Sequence, residues 1–248
     1  MNNPFSLEGK HILVTGAASG IGRSVAVEAS KMGATIILVD LNEERMKETM
    51  ALMSPGEHQM YAVNLTDMEA LESVAGMSCE LDGLVNCAGI GLTLPFKFCG
   101  EQELKRVMSI NFYAPVLLTQ TLVKKKKIRK NASIVYMTSI DGTVTGHIGN
   151  SIYSASKGAI LGSARSQALE LAPRGIRVNC VSPARVNTPL LKRDNISEEQ
   201  VQANMQLYPM KRYAEPEEIA YYIIYLLSDA STYTTGSNLI IDGGFTIS

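Results

Sequence analysis

The chain has no tryptophan, and aromatic residues make up only 6% of its 248 positions. Its three histidines, His11, His58 and His147, stand too far apart to form a ligand motif, so no metal site is expected. The four cysteines, Cys79, Cys87, Cys99 and Cys180, contain no Cys-x-x-Cys pair. They read as reduced thiols, mostly packing residues, not as a disulfide framework. Charge of either sign is not in excess: the formal net charge is −1, which gives no case for a nucleic-acid protein. No apolar run approaches the roughly 18 residues that a membrane span requires. Met1-Asn2-Asn3-Pro4 offers neither a basic segment nor an apolar one, so no secretory signal is expected. These absences together point to a soluble, cytoplasmic protein.

What is present is an ordinary globular composition, 46% hydrophobic and 19% charged. A chain of this length buries a large core without staples, and one domain over 1–248 is the expectation. Seven short runs rich in Val, Ile and Leu read as strands: 12–14, 36–39, 60–63, 84–85, 133–136, 176–179 and 239–241. Their near-continuous hydrophobicity is that of strands covered on both faces, as in parallel sheets. Helical patterns lie between them near 21–32, 43–53, 67–75, 101–126, 152–172 and 215–228. The alternation predicts an α/β Rossmann-type fold, a doubly wound parallel sheet with helices on both faces. The longest excursion, 183–212, carries a short helix near 197–206 and reads as a substrate lid.

Chemistry concentrates at two places. Tyr153 and Lys157 stand at i and i+4 of a helix and so share a face. A nearby ammonium favours the phenolate, so the pair is expected to trade a proton near neutral pH. The second place is Thr15-Gly16-Ala17-Ala18-Ser19-Gly20-Ile21-Gly22, a glycine turn between a strand and a helix. Such a turn lets the backbone approach a pyrophosphate at a helix N-terminus. The next strand ends in Asp40, where an acid can accept hydrogen bonds from the adenosine ribose. Asp40 would also repel a 2′-phosphate, and Ser19, Leu41 and Asn42 supply no compensating cation. Arg23 lies one turn into the helix, where solvation suits it as well. The cofactor read from these residues is NAD, not NADP.

Thr15-Gly16-x-x-x-Gly20-Ile21-Gly22, Asn86-Cys87-Ala88-Gly89, Asn111, Ser139 and Tyr153-x-x-x-Lys157 occur in that order. With Pro183, Thr188 and Asp242-Gly243-Gly244, they make the chain resemble the short-chain dehydrogenase/reductase family from about Leu7 onward. The resemblance implies that Tyr153 is the general acid/base, that Lys157 lowers its pKa and binds the nicotinamide ribose, and that Ser139 holds the substrate oxygen. It implies that Asn111 holds a water linking Lys157 to solvent. Gly16, Ser19, Gly20, Ile21 and Gly22 would meet the cofactor's phosphates. Asp40, Leu41, Asn64, Leu65, Asn86, Ala88 and Gly89 would line its adenosine side, and Pro183, Val186 and Thr188 its nicotinamide. The chain departs from the family at Asn64 (usually Asp), Cys87 (usually Asn) and Ala184 (usually Gly).

The expected substrate wall is Gly91 to Phe96, Ile140-Asp141-Gly142, His147 and the excursion after Pro183, with Leu94, Leu190, Leu191, Met205 and Leu207 among its apolar members. This suits a hydrophobic secondary alcohol or ketone. His147 reads as a loop or pocket-rim residue. Arg185, Lys192, Arg193, Lys211 and Arg212 lie in or beside the lid, as solvated charges or as a site for an anionic tail. The run Lys124-Lys125-Lys126-Lys127 with Arg129 and Lys130 closes a helix, where cations complement the dipole, or meets an anionic carrier. Small residues Ala159, Gly162, Ser163 and Ser166 form a stripe opposite Tyr153 and Lys157. With the family resemblance, the stripe points to a homo-oligomer, a tetramer or dimer. The function expected is NAD(H)-dependent interconversion of a secondary alcohol and its ketone. A 3-oxoacyl thioester reductase is the alternative substrate reading, and a catalytically silent dinucleotide-binding or sensing protein is the alternative class.

Overall fold

The computed structural model describes residues 3–77, 79–189 and 197–248. Leu190, Leu191, Lys192 and Arg193 of the expected lid lie outside those residues. The seven strands are β1 His11–Thr15, β2 Thr35–Asp40, β3 Gln59–Ala62, β4 Leu81–Asn86, β5 Ile128–Met137, β6 Arg177–Pro183 and β7 Asn238–Ile241. They form one sheet in the order β3-β2-β1-β4-β5-β6-β7, with every pair parallel. All seven expected runs are strands, and the strands extend beyond most of them.

Alternate side chains of each strand enter opposite layers. Ile12 and Val14 of β1, with Ile36 and Leu38 of β2, pack under helices α1 (Gly20–Lys31), α2 (Glu43–Leu52) and α8 (Pro216–Leu227). Leu13 and Ile37 face the other way, against α3 (Met68–Ala75), α5 (Ala114–Lys124) and α6 (Ser151–Leu171). Each fully buried Val, Leu or Ile contributes about 1.5–3 kcal/mol of transfer free energy, so this patterning fixes which face each helix covers. Helix starts follow local chemistry. The Asp67 side chain accepts the Glu69 N–H at the head of α3, and Pro216 occupies the first turn of α8. In the lid, α7 (Glu198–Met205) is capped by Ser197, whose hydroxyl accepts the Gln200 N–H.

Register positions the site. Thr15 pairs with Val39 on one side and Asn86 on the other; Asn86 pairs with Tyr136, and Tyr136 with Cys180. Residues that follow this row, Gly16 and Cys87 just past their strands and Asp40 and Met137 as the last residues of theirs, therefore lie together at one end of the sheet. The strand order reverses between β1 and β4, where doubly wound sheets open a ligand crevice.

The single helix expected over 101–126 runs unbroken from Glu101 to Lys124 but widens to π geometry in its middle. It comprises α4 (Glu101–Met108), a π-helical turn over Ser109–Tyr113, and α5. The Ala114 N–H reaches back to the Ser109 carbonyl, and the next residue, Pro115, has no N–H to give. Pro115 therefore caps neither the Ile110 nor the Asn111 carbonyl.

Candidate active site

The glycine turn is held from both neighbouring strands. The Thr15 hydroxyl accepts the N–H groups of Cys87 and Ala88, each at 3.1 Å, and so pins the end of β1 to that of β4. Asp40 Oδ2 accepts the Ala18 N–H at 3.1 Å, and its Oδ1 accepts the Asn42 N–H at 3.0 Å. Each oxygen keeps a further lone pair for a ligand hydroxyl. A Cβ at Gly22 would lie 2.2 Å from the Gly16 carbonyl oxygen, so only glycine allows the turn to fold against the head of α1. Ser19 precedes α1 but caps no N–H with its side chain, which leaves the helix's first-turn donors to a ligand. Bare backbone, open N–H groups and the Asp40 carboxylate together fit a dinucleotide. Arg23 is not a solvated charge. Its guanidinium lies 2.7 Å from the Ala18 carbonyl, 3.1 Å from that of Arg45 and 2.8 Å from Glu48.

Around this turn, Leu41 is exposed, and Asn64 uses its Oδ1 on the N–H and hydroxyl of Thr66. Leu65 packs on the core beneath. The Asn86 side chain is buried and donates to the Thr119 hydroxyl at 3.3 Å. Only its backbone belongs to the crevice edge.

The four expected catalytic residues converge from three elements: the π turn, the end of β5 and α6. Ser139 follows β5 and hydrogen-bonds the Tyr153 phenol, while its Oγ also accepts the Asp141 N–H at 3.2 Å. The Lys157 ammonium lies 5.7 Å from the centre of the Tyr153 ring and donates to the Met137 carbonyl at 2.8 Å. Asn111 closes the group: its Oδ1 accepts the Ile90 N–H at 2.9 Å, and its Nδ2 donates to Ile90 O at 3.0 Å and Ser156 Oγ at 3.1 Å. Ser156, unremarked in the sequence, donates in turn to the Tyr153 carbonyl at 2.6 Å. The loop after Ser139 rests directly on α6. A Cβ at Gly142, where φ is +83°, would lie 1.9 Å from the Ser154 carbonyl oxygen.

Burial acts on both members of the Tyr153–Lys157 pair, in the direction opposite to the one expected from their proximity. Burial pushes the Tyr153 hydroxyl up to about 12, opposed by the Ser139 hydrogen bond and reinforced by the Asp141 charge. Burial likewise pushes the Lys157 ammonium down to about 8, with Cys87 and Cys180 acting weakly the other way.

Tyr153, Ser139 and Lys157 line a cavity of about 670 Å³, together with Ile21, Gly89, Pro183, Val186 and Thr188 of the expected cofactor set. Leu92, Ile140 and Ile148 supply apolar wall, but Asp141, His147, Asn150, Arg185 and Tyr208 line the same cavity. It is more polar than the sequence reading held. Leu94, Met205 and Leu207 are not part of the wall among the described residues. Arg212 is spent on Glu218, to which it bonds through both terminal nitrogens, and Lys211 donates to the Gln206 carbonyl at 2.7 Å. Asp141 is only 5% exposed and accepts from His147 Nδ1 at 2.5 Å and Asn150 Nδ2 at 2.6 Å. Neither partner was foreseen, because both reach Asp141 only through the folding of the 140–150 loop.

Comparison with known proteins agrees with this geometry. The family described as enoyl-(acyl carrier protein) reductase matches residues 16–246. A 3-oxoacyl-(acyl-carrier-protein) reductase, FabG, of Thermotoga maritima is 36% identical over 249 residues, covering 97% of this chain and 99% of its own. Dehydrogenase/reductase SDR family member 6 of Rattus norvegicus is 33% identical over 246 residues, covering 97% and 99%. Among solved structures, an NAD(P)-dependent gluconate 5-dehydrogenase, so named, from Beutenbergia cavernae superposes with a TM-score of 0.90 at 29% identity. That match covers 99% of this chain and 100% of the other, which holds NADP at low occupancy.

Proposed function

The chain belongs to the short-chain dehydrogenase/reductase family of oxidoreductases, and from that footing we propose that it interconverts a secondary alcohol and its ketone with NAD(H), using Tyr153 as general acid/base. The observation that carries the proposal is the cavity in which Tyr153, Ser139 and Lys157 stand beside Ile21 and Thr188 of the cofactor edge. The whole chain, 1–248, serves as one dinucleotide-binding and catalytic unit, with 183–212 as its lid.

A bound nicotinamide dinucleotide supplies or accepts the hydride. The residues of the chain do the rest. Ser139 and Tyr153 hold the substrate oxygen from two sides, an arrangement that stabilises developing negative charge. Tyr153 gives a proton to that oxygen in reduction and takes one in oxidation. Lys157 keeps two N–H bonds beyond the one to Met137 and directs them at the nicotinamide ribose. The Asn111 and Ile110 carbonyls, uncapped by Pro115, hold the water that links Lys157 to solvent. With Tyr153 near 12 and Lys157 near 8, the free protein at neutral pH carries a phenol and an ammonium. That is the protonation state of a ketone reductase.

NAD(H) over NADP(H) rests on Asp40 and on Arg23, whose guanidinium is committed to Glu48 and two carbonyls, away from a 2′-phosphate. Assembly rests on α6. Among the described residues, and apart from the adjoining turns of its own helix, nothing lies within 4 Å of where a Cβ on Gly162 would stand, so the small-residue stripe is open there, and we assign it to a second copy in a dimer or tetramer. The cysteines are free, and among the described residues no helix is long and apolar enough to cross a membrane. Both agree with a cytoplasmic setting.

A second substrate reading, a 3-oxoacyl thioester, is favoured by the 36% identity to the Thermotoga reductase. Lys124, Lys126, Arg129, Lys130 and Arg174 surround a separate surface cavity near the start of β5. Ile128 pairs with Leu81 and Tyr136 with Asn86, so that end of β5 is about 17 Å along the sheet from the row that leads to the tetrad, at about 3.3 Å per residue, and the cluster would meet a carrier and not the reacting carbonyl. The test is NADH consumption over a panel of ketones and 3-oxoacyl thioesters. Turnover of a ketone supports the primary reading, and cofactor binding with no turnover on any member leaves a sensing protein.

A further inference from the structure

We propose that Asp141 and His147 form a second substrate subsite, one that binds an additional hydroxyl group, so that the substrate is a hydroxylated ketone or polyol and not a simple secondary alcohol. The proposal rests on the oxidoreductase reading above and deepens it.

A buried carboxylate is costly unless hydrogen-bonded, and Asp141 is bonded on both oxygens, by His147 and Asn150. Asn150 Oδ1 in turn accepts from the Thr93 hydroxyl at 3.3 Å, which carries the network to the opposite loop. A carboxylate only accepts, so the proton at the His147–Asp141 contact sits on Nδ1. The ring therefore presents Nε2, which has no partner among the described residues. Its orientation is fixed twice. Asp141 holds one edge, and the Phe245 ring lies 5.6 Å away at an interplanar angle of 31°. Phe245 is itself packed on Tyr208 of the lid at 4.9 Å. Asp141, His147, Asn150 and Tyr208 all line the cavity that holds Ser139 and Tyr153.

An anchored ring with one open nitrogen, 46% exposed and lining the cavity that also holds Ser139 and Tyr153, is a recognition group. Nε2 accepts in the neutral ring and donates in the cation. A hydroxyl, which does both, satisfies either state. A ligand that lacks it leaves Nε2, on a ring 46% exposed, to water, so a hydroxylated ligand gains about one net hydrogen bond over a mono-alcohol. Asp141 is the positioning residue, because it acts through the imidazole.

The test uses the full chain with saturating NADH, which forms a complex with alcohols without turnover. With only three histidines in the chain, the His147 imidazole resonances are assignable by NMR. Butane-2,3-diol, glycerol and ribitol are titrated against butan-2-ol and pentan-2-ol. The expected result is that hydroxylated probes shift the His147 resonance and the mono-alcohols do not, and that Asp141→Asn abolishes the response. Should Asp141→Asn not fold, His147→Leu carries this arm: by saturation-transfer NMR its affinity for the polyols falls about tenfold further than for the mono-alcohols. No response to any polyol, or equal responses to polyols and mono-alcohols, overturns the subsite. A polyol response in a protein that turns over nothing sustains the subsite and sinks the oxidoreductase reading instead.

Discussion

The Asp40 carboxylate accepts a hydrogen bond from the backbone N–H of Ala18 across 3.1 Å. The residue read from sequence as a ribose ligand is thus also a brace of the glycine turn. Asp40→Ala should narrow the preference for NADH over NADPH by about tenfold or more, because it removes the charge facing a 2′-phosphate. It should also cost about 1–2 kcal/mol of stability through the two lost bonds from the Ala18 and Asn42 N–H groups. Dissociation constants for both cofactors at one salt concentration check the first effect, and thermal melts the second. Wild-type binding of NADPH as tight as NADH contradicts the assignment.

Lys157→Met should lose cofactor affinity and turnover together, yet melt no lower than wild type near neutral pH. Burial lowers the ammonium from 10.5 to about 8, a penalty on the charged form of about 3 kcal/mol. The methionine escapes that penalty and forfeits about 1 kcal/mol for the bond to Met137. The sign follows from proton counts. Between about 8 and 10.5 the unfolded chain binds more protons at this residue, so wild-type stability gains as pH rises through that window. The advantage of the methionine should shrink accordingly. A variant several degrees less stable at neutral pH is the contrary result.

Proton direction gives a third expectation. With the Tyr153 hydroxyl near 12, the base form is scarce at neutral pH and grows with alkalinity. Alcohol oxidation should therefore climb from about pH 7 to about pH 9, while ketone reduction should not climb. Initial rates in both directions across that range decide it. Oxidation that falls with pH over the range removes Tyr153 as the base.

Gly162→Glu places a charge on the open stripe of α6. A second copy packed there must desolvate that charge, so the assembly should dissociate. Light scattering at micromolar concentration should report an oligomer for wild type and a smaller species for the variant. A wild-type monomer, or an unchanged oligomer in the variant, rejects the interface.

The sheet was legible because its strands are nearly continuous apolar runs and its helices carry a 3.6-residue period, signals that survive without tertiary context. The glycine turn and the Tyr153–Lys157 pair were legible for a similar reason, since each is local in sequence. What escaped needed contacts across the fold. The π turn at Ser109–Tyr113 lies where Asn111 turns to both backbone groups of Ile90 and Pro115 withholds a donor. Pro115 was the available signal. Helical spacing reported the proximity of Tyr153 to Lys157 but not the burial of both groups, which pushes the phenol up and the ammonium down. Arg23 was read as solvated because its partners, Arg45 and Glu48, lie on another helix. The Asp141–His147 contact spans only six positions, yet it depends on a loop whose path no periodicity encodes.

The account stands on Tyr153 as the group that moves the proton. Tyr153→Phe deletes one oxygen and keeps the ring that packs beside Lys157. The measurement is ketone-dependent NADH oxidation by wild type and variant, with NADH affinity measured on both. NADH binding should stay within about twofold, and turnover should fall by about 10²–10⁴-fold, the contribution of a positioned acid/base. A variant that turns over within about threefold of wild type contradicts the assignment of Tyr153.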